Sequence, residues 1–154
     1  MSDYDRSTTT ATLATLPEPI RGAIKAKAEA LLLTVADDAP AYLTHSKRLK
    51  KRLFGGDPDK EHQTALVIGA KDILVATYGE KRGTAALHAR LDAASITELP
   101  AIGGISPDDG MSVDGFPTSG SEGSTSASFY VGLGAPDGPA ARAALTEAIR
   151  AAKA

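Results

Sequence analysis

Cysteine is absent from the 154 residues, which excludes a disulfide framework, a thiolate metal site and a cysteine nucleophile. Tryptophan is also absent and aromatic residues make up 5% of the chain, so leucine, isoleucine, valine and alanine must do the packing. No stretch approaches the ~18 consecutive apolar residues of a membrane-spanning helix. The opening MSDYDRSTTTATLATL has acidic residues early and no apolar signal-peptide core, so a soluble, cytoplasmic chain is expected. A strong net charge is missing too. The balance is −2, too small to point to a polyanionic partner for the molecule as a whole.

What is present is a composition of one ordinary globular domain, 42% hydrophobic and 23% charged. Its charge is unevenly placed. HSKRLKKRLFGG puts five positive charges, Lys47, Arg48, Lys50, Lys51 and Arg52, into six positions. With those set aside, 17 basic residues fall to 12 against 19 acidic, a balance of −7. A basic spot on an acidic body suits a local contact better than general nucleic-acid affinity.

Residues 1–15 are rich in Ser and Thr and lack periodicity, so a disordered or loosely attached tail is expected, followed by a single domain over 16–154. Ile20, Ile24, Ala28, Leu31, Leu32 and Val35 recur at helical spacing and predict an amphipathic helix over 18–36, with Pro19 in its first turn. A short strand is expected at 41–44. From Thr64 the period changes to two: TALVIG, ILVATY and TAALHARLDAASI read as an antiparallel meander. ITELPAI, GMSVDGF and SASFYVGL supply further strands. Asp137 or Gly138 is the expected cap of a last helix, AARAALTEAIRAAKA, with Ala141, Leu145, Ala148, Ile149 and Ala152 as its apolar stripe. The expected fold is α+β and mainly β: one strongly bent antiparallel sheet, or partly open barrel, of about seven strands, with a C-terminal capping helix and an extra N-terminal helix.

The segment TALVIGAKDILVATYGEKRGTAALHARLDAASI resembles the central hairpins of bacterial pleckstrin-homology-like (PH-like) domains, and SASFYVGLGAPDGPAARAALTEAIRAAKA is similar to their last strand and capping helix. The resemblance spans roughly residues 41–154; the N-terminal helix lies outside it. It implies a non-catalytic platform for a protein, a peptide or a lipid headgroup, without a cofactor, and some such domains self-associate. Phosphoinositide-binding members carry basic residues after the first strand, and Lys47, Lys50 and Arg52 lie in that region.

Two readings stand for Lys47 to Arg52. As a helix, Leu49 and Leu53 share one side and the five cations cover the rest, a surface for anionic lipid, another polyanion or a partner. Alternatively the leucines pin the segment to the core and the charges are solvated. Phe54 is the single aromatic there, so base stacking and nucleic acid are disfavoured.

Other constellations read as structural. His88, Arg90 and Asp92 share a strand face, but His88 and Asp92 lie ~13 Å apart at ~3.3 Å per residue, so charge pairing through Arg90 is expected. Asp108, Asp109 and Asp114 lack the offsets and closing Glu of a calcium loop. GSEGS at 120–124 is not a nucleophile elbow, and no phosphate-loop motif occurs. His45 and His62 are too far apart in sequence to imply a metal site. The expectation is binding without catalysis, with a small enzyme of unrecognised type as the alternative of another class.

Overall fold

The computed structural model describes residues 4–48, 60–97, 110–117 and 126–154. These form eight strands and two α-helices: β1 (Tyr4–Thr12), α1 (Glu18–Ala30), β2 (Pro40–Arg48), β3 (Glu61–Ile68), β4 (Asp72–Gly79), β5 (Gly83–Arg90), β6 (Ser95–Thr97), β7 (Met111–Pro117), β8 (Ser126–Val131) and α2 (Gly138–Lys153). The mainly β, α+β expectation holds. The strands form two open antiparallel sheets, in the orders β1-β2-β3-β4-β5 and β6-β7-β8, rather than one closed barrel. The strand expected in TAALHARLDAASI, residues 84–96, ends at Arg90. Leu91–Ala93 turns as a 3-10 helix, Leu91 is buried, and the chain re-enters as the first strand of the second sheet.

Both faces of the large sheet are covered, and that accounts for the unbroken apolar runs in β3 and β4. Ala41, Ala65, Val67, Leu74 and Ala76 meet α1 through Ile20 and Ile24, with Leu13 and Leu16. The alternate residues Tyr42, Leu66, Ile68, Ile73, Val75 and Ala89 meet the small sheet and α2, through Met111, Val113, Phe116, Val131, Ala141, Leu145 and Ile149. Successive strand residues point to opposite faces, so a strand buried on both sides loses its polar alternation.

Residues 4–12, part of the expected loose tail, form a strand. β1 pairs with β2 over its whole length, and its outer edge is clasped by the segment leading into α2. Thr8 N donates to Ala135 O at 3.2 Å, Asp137 N donates to Thr8 O at 3.0 Å, and Gly134 N donates to Thr8 Oγ1 at 2.9 Å. Thr10 gives both its amide and its hydroxyl to Asp137 Oδ2, at 2.8 and 2.9 Å. The expectation of Asp137 as the cap holds in position. Asp137 is the N-cap of α2, but its side chain bonds β1 instead of the helix amides.

Helix α1 is shorter than its sequence pattern. It closes at Ala30 in a Schellman arrangement, with Leu33 N bonded to Ala28 O at 2.8 Å and Leu32 N to Glu29 O at 3.1 Å. Leu32 occupies the left-handed position, φ 57°, that glycine favours, and it is 92% exposed. The turn brings the chain back toward β2, where Ala39 and Asp37 accept from the amides of Leu13 and Ala14.

Leu145 is fully buried between α2 and the apolar half of the sheet. Leu145→Asp places a charge there and is expected to cost on the order of 3 kcal/mol or more. A thermal melt overlapping that of the parent would contradict this packing.

Candidate functional site

The register of the large sheet sorts the face opposite α1 into rows. Thr10, Tyr42, Leu66, Val75 and Leu87 lie side by side across five strands, and apart from Thr10 this row is apolar. Two residues along, Thr8, Thr44, Thr64 and Thr77 form a cross-strand row of threonines. Beyond it come Arg6, Ser46 and His62. The face therefore changes from core to hydroxyl to cationic and imidazole groups within two steps along each strand.

This polar end walls a cavity of about 310 Å³ lined by Arg6, Ser46, His62, Thr64, Thr77, Arg82, Phe129, Tyr130 and Gly132. Of the hydroxyls in these rows Thr8, Thr44, Ser46 and Thr64 are buried, and Ser46 and Thr64 among them line the cavity. Such groups require hydrogen bonds. Thr8 and Thr44 share one at 2.8 Å, and Arg6 Nε donates to Ser46 Oγ at 3.0 Å. The Arg6 guanidinium also lies 5.8 Å from the centre of the Tyr130 ring, within cation–π range. Two glycines make room for it. A Cβ on Gly132 would collide with the Arg6 guanidinium, and one on Gly134 with the Arg6 carbonyl.

The described start of the basic run is strand, where one reading had a helix. Lys47 and Arg48 are the last residues of β2, with Lys47 opposite Glu61 and Arg48 opposite Tyr4. As neighbours on a strand they face opposite sides of the sheet, so this pair does not share one surface. β2 runs on to Arg48 because its backbone is held on both sides, and Arg48 N donates to Lys60 O at 2.8 Å. Lys50, Lys51 and Arg52 lie outside the described residues, as do Asp108, Asp109 and the GSEGS stretch.

His88 finds a partner on the neighbouring strand: its Nε2 lies 2.7 Å from Asp72 Oδ1, and both side chains are mostly buried. Arg90 pairs with Asp92 at 2.5 Å, as expected. The first is a hydrogen bond between imidazole and carboxylate, the second an ion pair. His45 and His62 sit on adjacent strands, but His45 is level with Gln63 and His62 with Ser46, so the two rings project from opposite faces. Among the described residues no group of three or more His, Asp or Glu is placed to hold a metal, and no helix is long and apolar enough to cross a membrane.

Asp114, one of the acidic residues of the supposed turn, lies on β7. Its carboxylate accepts hydrogen bonds from Ser128, from Thr97 at 2.8 Å and from Ser95 at 3.4 Å, tying the three strands of the small sheet together. The next residue, Gly115, has φ +113° at a register shift in the ladder, and a Cβ there would come within 2.7 Å of Ala93 O.

Sequence reasoning missed the cleft because its members are scattered: Arg6 in a segment read as a tail, Arg82 in a hairpin turn, and hydroxyls on β2, β3 and β4. The available signal was the run TTTAT, β-branched residues that favour strands. A comparison with family models, curated proteins and solved structures finds no match for this chain.

The Ser128 hydroxyl most strongly, then Thr97 and Ser95, hold the Asp114 carboxyl below the ordinary aspartate range against a smaller opposing effect of desolvation. Because the folded value is the lower one, the stabilisation is present above the unfolded pKa and is lost as pH falls through the folded value. A carbon-detected NMR titration is expected to place the Asp114 midpoint below that of an unfolded-chain aspartate, and Ser128→Ala to raise it. An unshifted midpoint in the parent would contradict the clamp.

Proposed function

We propose that the chain is a non-catalytic binding module of PH-like type whose ligand enters the polar cleft between the large sheet and β8. The observation that carries this reading is the change of one sheet face from core to sequestered hydroxyls, arginine and imidazole around a single cavity. Buried polar groups cost stability relative to an apolar filling. A cluster of them facing one concavity suits recognition of a polar ligand, as convergent polar groups do in ligand sites generally.

The PH-like part of the reading draws support from the order of elements. β2–β5 form a four-stranded meander, β6–β8 a three-stranded one, and α2 packs between them at the end of the chain. β1 and α1 are additions outside the resemblance, and β1 brings Arg6 to the cleft. The chemistry of Ser46 favours binding over catalysis. Its Oγ accepts from the Arg6 guanidinium, a permanently charged donor that cannot serve as a base, so the hydroxyl is positioned as a donor rather than activated as a nucleophile.

A second reading, attachment to anionic lipid or another polyanion through Lys47, Arg48, Lys50, Lys51 and Arg52, is favoured by one observation. β2 delivers the start of that run beside the cleft, since Arg48 shares the strand face of Ser46. A protein or peptide partner remains compatible with both readings.

Titrating 15N-labelled protein with a set of small polar molecules, neutral and anionic, tests the cleft. Chemical-shift changes are expected at the amides of Ser46, His62, Thr64 and Thr77. Changes confined to other surfaces, with these four unmoved, would contradict the assignment of the site.

A further inference from the structure

We infer that the group held in the cleft is a tetrahedral oxyanion of the phosphate type, carried on a small molecule or a lipid headgroup. The inference rests on the reading of the cleft as the ligand site and adds the chemical class of what it takes. The resemblance would place anion contacts on Lys47, Lys50 and Arg52. Lys50 and Arg52 lie outside the described residues and Lys47 is not among the described lining, which draws on Arg6 of the added strand and Arg82 of the β4–β5 turn.

The lining is weighted toward hydrogen-bond donors. Arg6 and Arg82 supply guanidinium groups, and Ser46, Thr64, Thr77 and Tyr130 supply hydroxyls, with His62 between them. Cavity-lining Asp and Glu are absent among the described residues. An arginine fork matches an oxyanion in a bidentate manner. Arg6 is held for that role, with Nε on Ser46, the face of the group toward Tyr130 and its path cleared by Gly132. Ser46 Oγ accepts from Arg6, so its own hydrogen is the one directed elsewhere.

The directions of the donors separate phosphate from carboxylate. They come from three parts of the fold: Arg6, Ser46, His62, Thr64 and Thr77 from one face of the large sheet, Tyr130 from β8, and Arg82 from the β4–β5 turn. A phosphate ester offers three strong acceptor oxygens in three directions. A carboxylate offers two in one plane. The volume, about 310 Å³, lies at the small end of the ~300–1,000 Å³ usual for ligand sites, which fits a headgroup rather than a polymer.

The experiment is an NMR titration of the full chain with inorganic phosphate, glycerol 3-phosphate, acetate and glycerol at low and high salt. It is joined by sedimentation with phosphatidylcholine vesicles, with and without phosphatidic acid. Phosphate and glycerol 3-phosphate are expected to shift the Ser46, Thr64 and Thr77 amides, acetate more weakly and glycerol not at all, with affinity falling as salt rises. Arg82→Gln, on an exposed turn, leaves the fold in place and is expected to weaken phosphate binding about tenfold or more. Gly132→Ala, which displaces the Arg6 guanidinium, is expected to do the same. Sedimentation only with phosphatidic acid assigns the oxyanion to a lipid headgroup, and soluble phosphate binding without sedimentation assigns it to a free phosphate compound. If glycerol or acetate moves the cleft amides as strongly as phosphate does, the oxyanion class is overturned while the cleft stands. If no probe moves them, the cleft reading itself falls, and this inference with it.

Discussion

The clasp between β1 and the segment Gly132–Asp137 is the constraint on which the rest of the arrangement depends. Five hydrogen bonds join Thr8 and Thr10 to residues 134–137. They occupy the outer edge of β1, which would otherwise present unpaired backbone groups. They also fix where α2 begins, because Asp137 N-caps the helix with its backbone while its carboxylate bonds Thr10. The glycines at 132 and 134 follow from the same closeness: Arg6 and its backbone pass where a side chain would stand. A single contact between the two ends of the chain thus sets an edge, a helix start and an arginine.

From that contact the two layers on the large sheet acquire different characters. The α1 side is apolar, with Ile20 and Ile24 over Ala41, Ala65, Val67 and Leu74, where small alanines permit a close approach. The other side is apolar only up to the row of Tyr42, Leu66 and Val75, over which α2 and the small sheet close. Beyond it, the threonine row satisfies some of its own hydroxyls, as the Thr8–Thr44 bond shows. Replacing those threonines by valine would extend the core. Thr8 and Thr44 serve the clasp, and it is the buried Ser46 and Thr64 on the cleft wall that argue physically for a polar occupant.

Much of this architecture is legible in the sequence, for identifiable reasons. Ile20, Ile24 and Ala28 at helical spacing predicted α1, and Leu145 and Ile149 predicted the buried stripe of α2. The apolar runs in β3 and β4 were recognisable as strands although their burial on two faces removes the alternation. β1 was not legible: YDRSTTTAT is polar because Arg6 lines the cleft and Thr8 and Thr10 give their hydroxyls to cross-strand and clasp hydrogen bonds. The end of α1 was missed because Leu31, Leu32 and Val35 continue its apolar spacing, whereas the chain turns through a left-handed leucine to reach β2. The cleft escaped because Arg6, Ser46, His62 and Arg82 become neighbours only through strand register. The basic run drew notice by density of charge, but a strand sends Lys47 and Arg48 to opposite sides.

Amide hydrogen exchange tests the clasp most directly, since local opening is read residue by residue. The account predicts that the Thr8, Thr10 and Asp137 amides exchange as slowly as those of Leu66 and Val75 in the centre of the sheet, all opening with the whole domain. Exchange at Thr8 and Thr10 faster by orders of magnitude, while Leu66 and Val75 stay protected, would show that β1 is a frayed appendage and would contradict the account.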